Sequence, residues 1–172
     1  FDLHKLTENR IVVRRAKDGE IIKTIDQEER KLSSDMLVIA DAEVPVAVAG
    51  IMGGFDSEVG EGTVDIFIES AWFNPSSIRK TSRILNLASE ASQRFQRGAD
   101  VDMVPFAADR ACRLIQEVAG GETLAGTLDE YPNLIEPVEI VHNFAHVNNR
   151  IGANVPRETH ITILESLGFT IA

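Results

Sequence analysis

A chain of 172 residues, 44% of them apolar, suits one domain, or one domain and part of a second, with a real hydrophobic core. Its formal net charge of −10 argues against a domain whose main task is to grip nucleic-acid backbone, but not against a pocket for one end of a nucleic acid. The single cysteine, Cys112, excludes an internal disulfide and fits a reducing compartment, and no apolar run approaches the roughly 20 residues of a membrane helix. Phe1 follows no initiator methionine, so we expect a fragment of a longer protein.

The first third of the chain is predicted to be rich in β-strands. Residues 11–16 and 20–25 flank a Lys-Asp-Gly turn, which predicts a hairpin, and residues 26–31 predict a charged turn. The short continuous apolar runs at 36–40 and 44–52 are typical of fully buried strands.

The middle of the chain combines a loop with a carboxylate among apolar residues. Residues 55–63 hold Asp, Glu, Ser and Gly and predict a surface loop. Residues 64–73 then predict a strand, and alternation places Glu69 on the same face as Phe67, Ala71 and Phe73. A carboxylate among apolar side chains is unusual and makes Glu69 a candidate for a functional role.

Two helices are predicted after this strand, and a longer one follows them. Asn74 can cap the first helix, with Pro75 at its first position. Ser89 can cap a second, short helix that Gly98 ends. The apolar spacing over residues 104–118 predicts the third helix.

The rest of the chain predicts a smaller module. We expect strands at 122–129, 138–141 and 169–171, a linker at 131–133, and helices at 146–151 and 156–167. The predicted fold class is α+β: mixed β-layers with packed helices over residues 1–133, and a partial small α/β module over residues 138–172. The tail is expected to be the less stable part, because small partial modules bury little area.

Glu69 is the sharpest candidate for chemistry, and two interpretations compete. A carboxylate among apolar side chains must find hydrogen-bond donors or raise its pKa. It could be an acceptor aimed into a pocket. The commoner outcome is a structural salt bridge, here to Arg79, Arg83 or Arg94.

The other candidates each have an ordinary structural explanation. Gly53 and Gly54 could expose backbone amides to a ligand, or could simply form a turn at a strand end. Ser89 could be a helix cap, a donor to a ligand, or both, and the small Ala91 suits either tight packing or a pocket floor. Cys112 lies in an apolar helix pattern and fits an inert core residue.

Catalytic and metal-binding sets of side chains are not indicated. No histidine lies between His4 and His142, so no Ser-His-Asp or Cys-His arrangement is suggested. The four histidines and the lone cysteine have no zinc-ligand spacing. We therefore predict no metal site and no certain catalytic side chain.

Four motifs occur in order: GIMGG, IESAWFNP, IRKTSR and SEASQRFQRGAD. With their spacing, they closely resemble the B3/B4 region of the bacterial phenylalanyl-tRNA synthetase beta subunit, from residue 1 to about residue 131. The later sequence, with ILESLGF, is similar to the start of the B5 module of that subunit. Together the motifs are a far more specific signal than any one of them alone.

The resemblance implies an editing site that hydrolyses tyrosine wrongly attached to phenylalanine tRNA. The family's editing glutamate falls on Glu69, and its pocket glycine on Gly53. Its usual Thr-Asp-Ala motif reads Ser89-Glu90-Ala91 here, which keeps the hydroxyl and the alanine but loses a methyl group. A histidine that the family links to editing falls in a segment that would precede Phe1.

The resemblance also implies partners and cofactors. The chain would be part of an aminoacyl-tRNA ligase, carrying deacylase chemistry and not the synthetic site. Its expected partners are the 3′ end of phenylalanine tRNA and the synthetase alpha subunit, in a cytoplasmic alpha2-beta2 heterotetramer with no membrane contact. The full synthetase would use ATP and magnesium, and this fragment no cofactor.

The physical logic of such a site agrees with the residues. A second pocket with a buried acceptor pairs with the tyrosyl hydroxyl and is left unpaired by phenylalanine. With no side-chain nucleophile, a bound water would attack the ester. The alternative is a non-catalytic structural and RNA-contacting module of the synthetase.

Overall fold

Strands and helices both occur in the computed structural model, which describes residues 1–172. The chain divides into two units, Phe1–Ala125 and Gly126–Ala172. The first holds six strands, two short 3₁₀ helices and three α-helices, and the second holds two α-helices and no strand. The predicted α+β fold class is confirmed, and the predicted division into residues 1–133 and 138–172 stays a prediction.

The strands all lie in the first third of the chain, and the α-helices follow. The strands are β1 Val12–Arg15, β2 Ile21–Lys23, β3 Glu29–Lys31, β4 Leu37–Ala40, β5 Pro45–Val48 and β6 Met52–Gly53. The helices are α1 Pro75–Ile84, α2 Glu90–Phe95, α3 Met103–Ala119, α4 Phe144–Ile151 and α5 Arg157–Ser166. The 3₁₀ helices are Leu3–Lys5 and Thr7–Asn9. None of the helices has the length and apolar character to cross a membrane.

The larger sheet has the order β1-β4-β5-β6, and every neighbouring pair is antiparallel. Its central strands carry the uninterrupted apolar sequences, and their side chains are buried on both faces; Val38 is 0% and Val48 1% exposed. The turn between them is held by Asp41, whose carboxylate accepts backbone N–H groups of Glu43 and Val44, both at 2.8 Å. Burial favours a raised pKa for Asp41, but these backbone donors, with Thr7, hold it below its ordinary value.

The predicted hairpin of residues 11–16 and 20–25 is wrong. The turn itself forms, with Gly19 at φ +80° and a hydrogen bond of 3.0 Å from Glu20 N to Lys17 O. However, β1 pairs with the buried β4, and β2 pairs with β3 in a separate two-stranded sheet. The predicted charged turn at 26–31 therefore contains a strand.

The predicted strand at 64–73 is also wrong. Only one ladder bridge forms, between Asp2 and Ile66, and Phe67 N donates to Phe1 O at 2.9 Å. Residues 67–73, beyond this point, have no assigned secondary structure and pair with no strand, so apolar content alone did not make a sheet. The predicted long strand at 44–52 is likewise interrupted by a turn between β5 and β6.

The two predicted helix N-caps, Asn74 and Ser89, both form, but α2 ends at Phe95 with Gln96 as its C-cap, before the predicted Gly98. The side chain of Asn74 accepts N–H groups of Ser76 and Ser77 at the start of α1. Ser89 and Ser92 form a capping box at the start of α2. These short local interactions fix both helix starts.

The core of the first unit lies between the larger sheet and the first two helices. Ile78 of α1 is 2% exposed and joins the buried strand residues. Phe73 and Phe95 meet edge to face, with ring centroids 4.9 Å apart. This aromatic pair packs against the core and also lines the cavity described below.

The second unit contains two capped helices and little buried apolar surface. Gly152 ends α4 in the left-handed conformation, at φ +72°. The side chain of Asn148 bonds both backbone groups of Val155, and its Oδ1 lies 2.9 Å from His160 Nε2. The strands predicted at 138–141 and 169–171 are absent, as is the one at 122–129, because no strand lies beside them. The predicted α/β character of the tail is therefore wrong.

We expect the second unit to open more readily than the sheet of the first. His160 is its only buried residue, and Val138 and Val141 are 83% and 98% exposed. Local stability follows buried apolar contact, so amide protons of α4 and α5 should exchange with deuterium well before those of β4 and β5. Hydrogen exchange read by mass spectrometry checks this, and equal protection in both places contradicts it.

Candidate functional site

A cavity of about 580 Å³ opens in the first unit, beside the larger sheet. One wall is the turn between β5 and β6, and a second is the segment 69–73, which carries Glu69. The side chains of Phe73 and Phe95, with Ala91 and the start of α3, supply most of the rest. The volume suits a single small-molecule or side-chain-sized ligand.

Glu69 lines this cavity without a protein partner. Its carboxylate accepts no hydrogen bond from the chain and forms no ion pair, so the alternative interpretation, a structural salt bridge to Arg79, Arg83 or Arg94, does not occur. The guanidinium of Arg79 instead donates to Gln96 O at 2.9 Å, and Arg94 pairs with Glu90 at 3.6 Å. The acceptor capacity of Glu69 is therefore free.

The protonation of Glu69 is shifted by its surroundings. Glu69 is exposed to solvent, yet its place in the cavity wall partly desolvates the carboxyl group, and this desolvation raises the pKa of Glu69 to about 7. Near neutral pH the carboxyl group is thus divided between its two forms.

This shift predicts a pH-dependent stability that the Glu69→Gln variant lacks. Between about pH 4.5 and 7 the folded chain keeps the Glu69 proton and the unfolded chain has lost it. Because the folded state then binds more protons, its stability falls as pH rises through this window. Urea denaturation of both proteins across the window measures the slope. Parallel profiles for the wild-type chain and the variant would contradict the shift.

The glycines near β6 have different roles. Gly53 lines the cavity, and a Cβ there would have only Ile25 Cγ2 near it, at 3.8 Å. At Gly54 a Cβ would lie 2.7 Å from the carbonyl oxygen of Val46, so this position requires glycine. Gly50 has φ +67° and lies against the ring of Phe73. In the double glycine, Gly53 therefore lines the cavity, and Gly54 allows its backbone to lie close to that of Val46.

Ser89 and Ala91 have different positions relative to the cavity. Ala91 lines the cavity and Ser89 does not. The hydroxyl of Ser89 donates to Ile51 O at 2.6 Å and accepts the N–H of Ser92 at 3.1 Å, which holds the start of α2 against the β5–β6 turn. The structure thus brings Gly53, Glu69 and Ala91 to one cavity and places Ser89 directly behind it.

A further wall of the cavity, formed by α3 and the loop before it, was not predicted from the sequence. The hydroxyl of Ser70 donates to Val104 O at 2.8 Å, and Trp72 Nε1 donates to Ala99 O at 3.0 Å. These bonds hold Asp100 and the first turn of α3 beside the segment 69–73. The only signal in the sequence was that Asp100 ends the motif SEASQRFQRGAD.

The chemistry available in the cavity is limited to a few groups. Glu69 and Asp100 are its only ionisable side chains, and the Ser70 hydroxyl is bonded to a backbone carbonyl. No group of three or more His, Cys, Asp or Glu side chains has a metal-binding arrangement. The arrangement can hold an aromatic or aliphatic group and accept a hydrogen bond from its polar end.

The sequence profile of the B3/4 domain matches residues 1–120. The chain belongs to the B3/4 domain family. The match includes every residue that lines the cavity, so the cavity is a feature of this B3/4 domain and does not involve the second unit.

Relatives of this B3/4 domain protein include several bacterial proteins named phenylalanine–tRNA ligase beta subunit. That of Moorella thermoacetica is 50% identical over 167 residues, which is 97% of this chain and 21% of the relative. Those of Carboxydothermus hydrogenoformans and Bacillus subtilis are 46% and 44% identical over 171 residues, or 99% of this chain and 21% of each relative. The chain spans about a fifth of the length of these relatives.

Proposed function

We propose that this chain is the editing part of a phenylalanine–tRNA ligase beta subunit and hydrolyses tyrosine mischarged on phenylalanine tRNA. The observation that carries the proposal is the free carboxylate of Glu69 in an otherwise largely apolar cavity. The B3/4 family and the names of the relatives support the coarser part of the proposal, that the chain is part of a phenylalanine–tRNA ligase beta subunit.

Recognition in this proposal depends on one hydroxyl group. The tyrosyl ring lies among the apolar side chains and its hydroxyl donates to Glu69. A phenylalanyl ring fills the same space but leaves the carboxylate dehydrated and unpaired, which costs about 1–3 kcal/mol or more for a charged group. The cavity therefore prefers the amino acid that a site built for phenylalanine should reject.

Hydrolysis in this proposal uses a water molecule. Its oxygen adds to the ester carbonyl carbon, the bond to the ribose oxygen breaks, and the ribose oxygen takes up a proton. Backbone amides near Gly53 are the proposed groups for orienting the water and stabilising the developing charge. The proposed role of Ser89 is indirect: its hydroxyl donates to Ile51 O and so holds the β5–β6 turn that carries Gly53. Ala91 forms part of the floor beneath the ester.

The names of the relatives support a tRNA and an alpha subunit as proposed partners, and the family resemblance supplies the rest of the proposal. The 3′ end of phenylalanine tRNA delivers the aminoacyl group, and an alpha subunit completes the ligase as an alpha2-beta2 assembly. ATP and magnesium belong to the synthetic reaction of that assembly and not to this cavity.

A second candidate is a structural and RNA-contacting module without catalysis. The observation in its favour is that the hydroxyls of Ser70 and Ser89 both donate to backbone carbonyls, which leaves the cavity without a free hydroxyl nucleophile. In this case the cavity would have no catalytic role, and the chain would not change the hydrolysis rate of aminoacyl esters.

A hydrolysis assay separates the two candidates. The full-length protein is incubated with tyrosyl-tRNA and with phenylalanyl-tRNA. ATP, AMP and pyrophosphate are left out, so that the synthetic site can neither form nor reverse the aminoacyl ester. We expect release of tyrosine well above the spontaneous rate and little release of phenylalanine. Spontaneous rates for both esters would reject the editing function and favour the structural module.

A further inference from the structure

A second carboxylate in the cavity has no role in the recognition of the tyrosyl hydroxyl. Asp100 lines the cavity from the loop before α3, and neither of its oxygens lies in an ion pair. Its Oδ1 accepts the backbone N–H of Asp102 at 3.0 Å, which fixes the orientation of the carboxylate and leaves Oδ2 free. Trp72 Nε1 holds the preceding residue, Ala99, by its carbonyl oxygen at 3.0 Å. The Asp100 side chain is exposed to solvent, and the hydrogen bond to Asp102 holds its charge in place at the cavity wall.

The charge of the cavity is one-sided. Among the side chains that line it, the ionisable ones are Glu69 and Asp100, and no Lys, Arg or His is present. Such a site favours a ligand with a positive charge and disfavours one with a negative charge. An aminoacyl ester has this property, because its α-ammonium is cationic and its carboxyl group is neutralised by the ester bond.

We propose that Asp100 binds the α-ammonium group of the aminoacyl ester and sets the preference of the cavity for the ester over the free amino acid. This inference rests on the proposed editing function and adds a residue and a selectivity to it. Glu69 accepts from the ring hydroxyl, and Asp100 accepts from the ammonium at the other end of the amino acid. Two fixed points then orient the ester for attack by water.

The same charges act on the product. Hydrolysis restores a carboxylate to the amino acid, and this group enters a cavity whose ionisable side chains are acidic. Repulsion between like charges weakens binding of the product, so release follows the reaction. The cavity therefore distinguishes substrate from product by charge as well as by shape.

The test compares two esters that differ only at the α position. One is tyrosyl-tRNA, and the other is the same ester with a hydroxyl in place of the ammonium. For the full-length protein, kcat/KM for each ester is divided by its spontaneous hydrolysis rate, which removes the intrinsic effect of the ammonium on ester reactivity. We expect a corrected preference of about tenfold for the amino ester, expressed mainly in KM, because one charge-assisted hydrogen bond is gained.

Asp100→Asn should bring the corrected preference close to one, while its amide oxygen still accepts the N–H of Asp102. Asp102→Asn is the matched control: it removes the same charge two residues on, from a side chain outside the cavity, and should keep the preference. An unchanged preference in Asp100→Asn, or an equal loss in both variants, overturns the role of Asp100. If the wild-type protein hydrolyses neither ester, the editing function itself fails, and this inference with it.

Inhibition of tyrosyl-tRNA hydrolysis provides a second readout. Tyrosinamide keeps the ammonium and lacks the carboxylate, and free tyrosine has both. We expect tyrosinamide to inhibit the wild-type protein more strongly than tyrosine by about tenfold, and Asp100→Asn to reduce this difference. Equal inhibition by the two compounds in the wild-type protein contradicts the proposed selectivity.

Discussion

In the full-length protein, Glu69→Ala is expected to reduce the preference for hydrolysing tyrosyl-tRNA over phenylalanyl-tRNA by about thirtyfold. The substitution deletes the acceptor that pairs with the tyrosyl hydroxyl, and it deletes the unpaired carboxylate that penalises phenylalanine. One charged hydrogen bond of about 2 kcal/mol corresponds to this factor. The measurement is kcat/KM for both esters, together with the thermal unfolding of the same variant.

Two further variants sharpen this experiment. Glu69→Gln keeps a neutral oxygen acceptor and should retain part of the preference. Glu117→Ala removes another acidic side chain, one that is exposed, pairs with Arg113 and lies outside the cavity, and should leave the preference unchanged. If Glu69→Ala lowers the melting temperature but leaves the ratio of the two rates unchanged, the recognition role of Glu69 is rejected.

Gly54→Ala is expected to lower the free energy of unfolding by about 2–3 kcal/mol. Its new methyl group would lie 2.7 Å from Val46 O and 3.1 Å from Val46 C, both of which are backbone atoms. The backbone cannot separate easily there, because Gly54 N donates to the same oxygen at 2.7 Å. Urea denaturation of the chain measures the loss.

The neighbouring glycine supplies the control. Gly53→Ala places its methyl group no closer than 3.8 Å to Ile25 Cγ2, so we expect a change in stability within about 0.5 kcal/mol. Because Gly53 lines the cavity, this variant should alter hydrolysis instead of folding. Similar losses of stability in the two variants would contradict the division of roles between the two glycines.

Features set by nearby residues were predictable from the sequence. The caps at Asn74 and Ser89 each depend on interactions within a few residues, and the structure contains both. The buried strands β4 and β5 were also predictable, because each is a short apolar run that only a core can accommodate.

Features set by distant residues were not predictable in this way. The Lys-Asp-Gly turn forms as expected, yet β1 leaves it to pair with β4, which lies more than twenty residues further along the chain. Residues 64–73 have the composition of a strand, but a strand also needs a partner, and only Ile66 has one. The local sequence contains no information on which segment will be available for pairing.

The candidate site was predictable in part for the same reason. The unusual surroundings of Glu69 were visible in its own segment, but the absence of an arginine partner depends on where α1 and α2 direct their side chains. Asp100 was missed because its place in the cavity is fixed by long-range bonds from Ser70 and Trp72. The B3/4 motifs supplied what residue patterns alone could not, since they relate Gly53, Glu69 and Ala91 across the chain.

The central claim is that Glu69 accepts the hydroxyl of a tyrosyl group in the cavity. The most direct measurement is a crystal structure of the full-length protein with a non-hydrolysable amide analogue of tyrosyl-adenosine. We expect the phenolic oxygen within about 2.5–3.0 Å of a Glu69 carboxylate oxygen, and the ring beside Phe73 and Phe95. A tyrosyl hydroxyl directed to solvent or bonded to another group, with Glu69 unpaired, would contradict the claim.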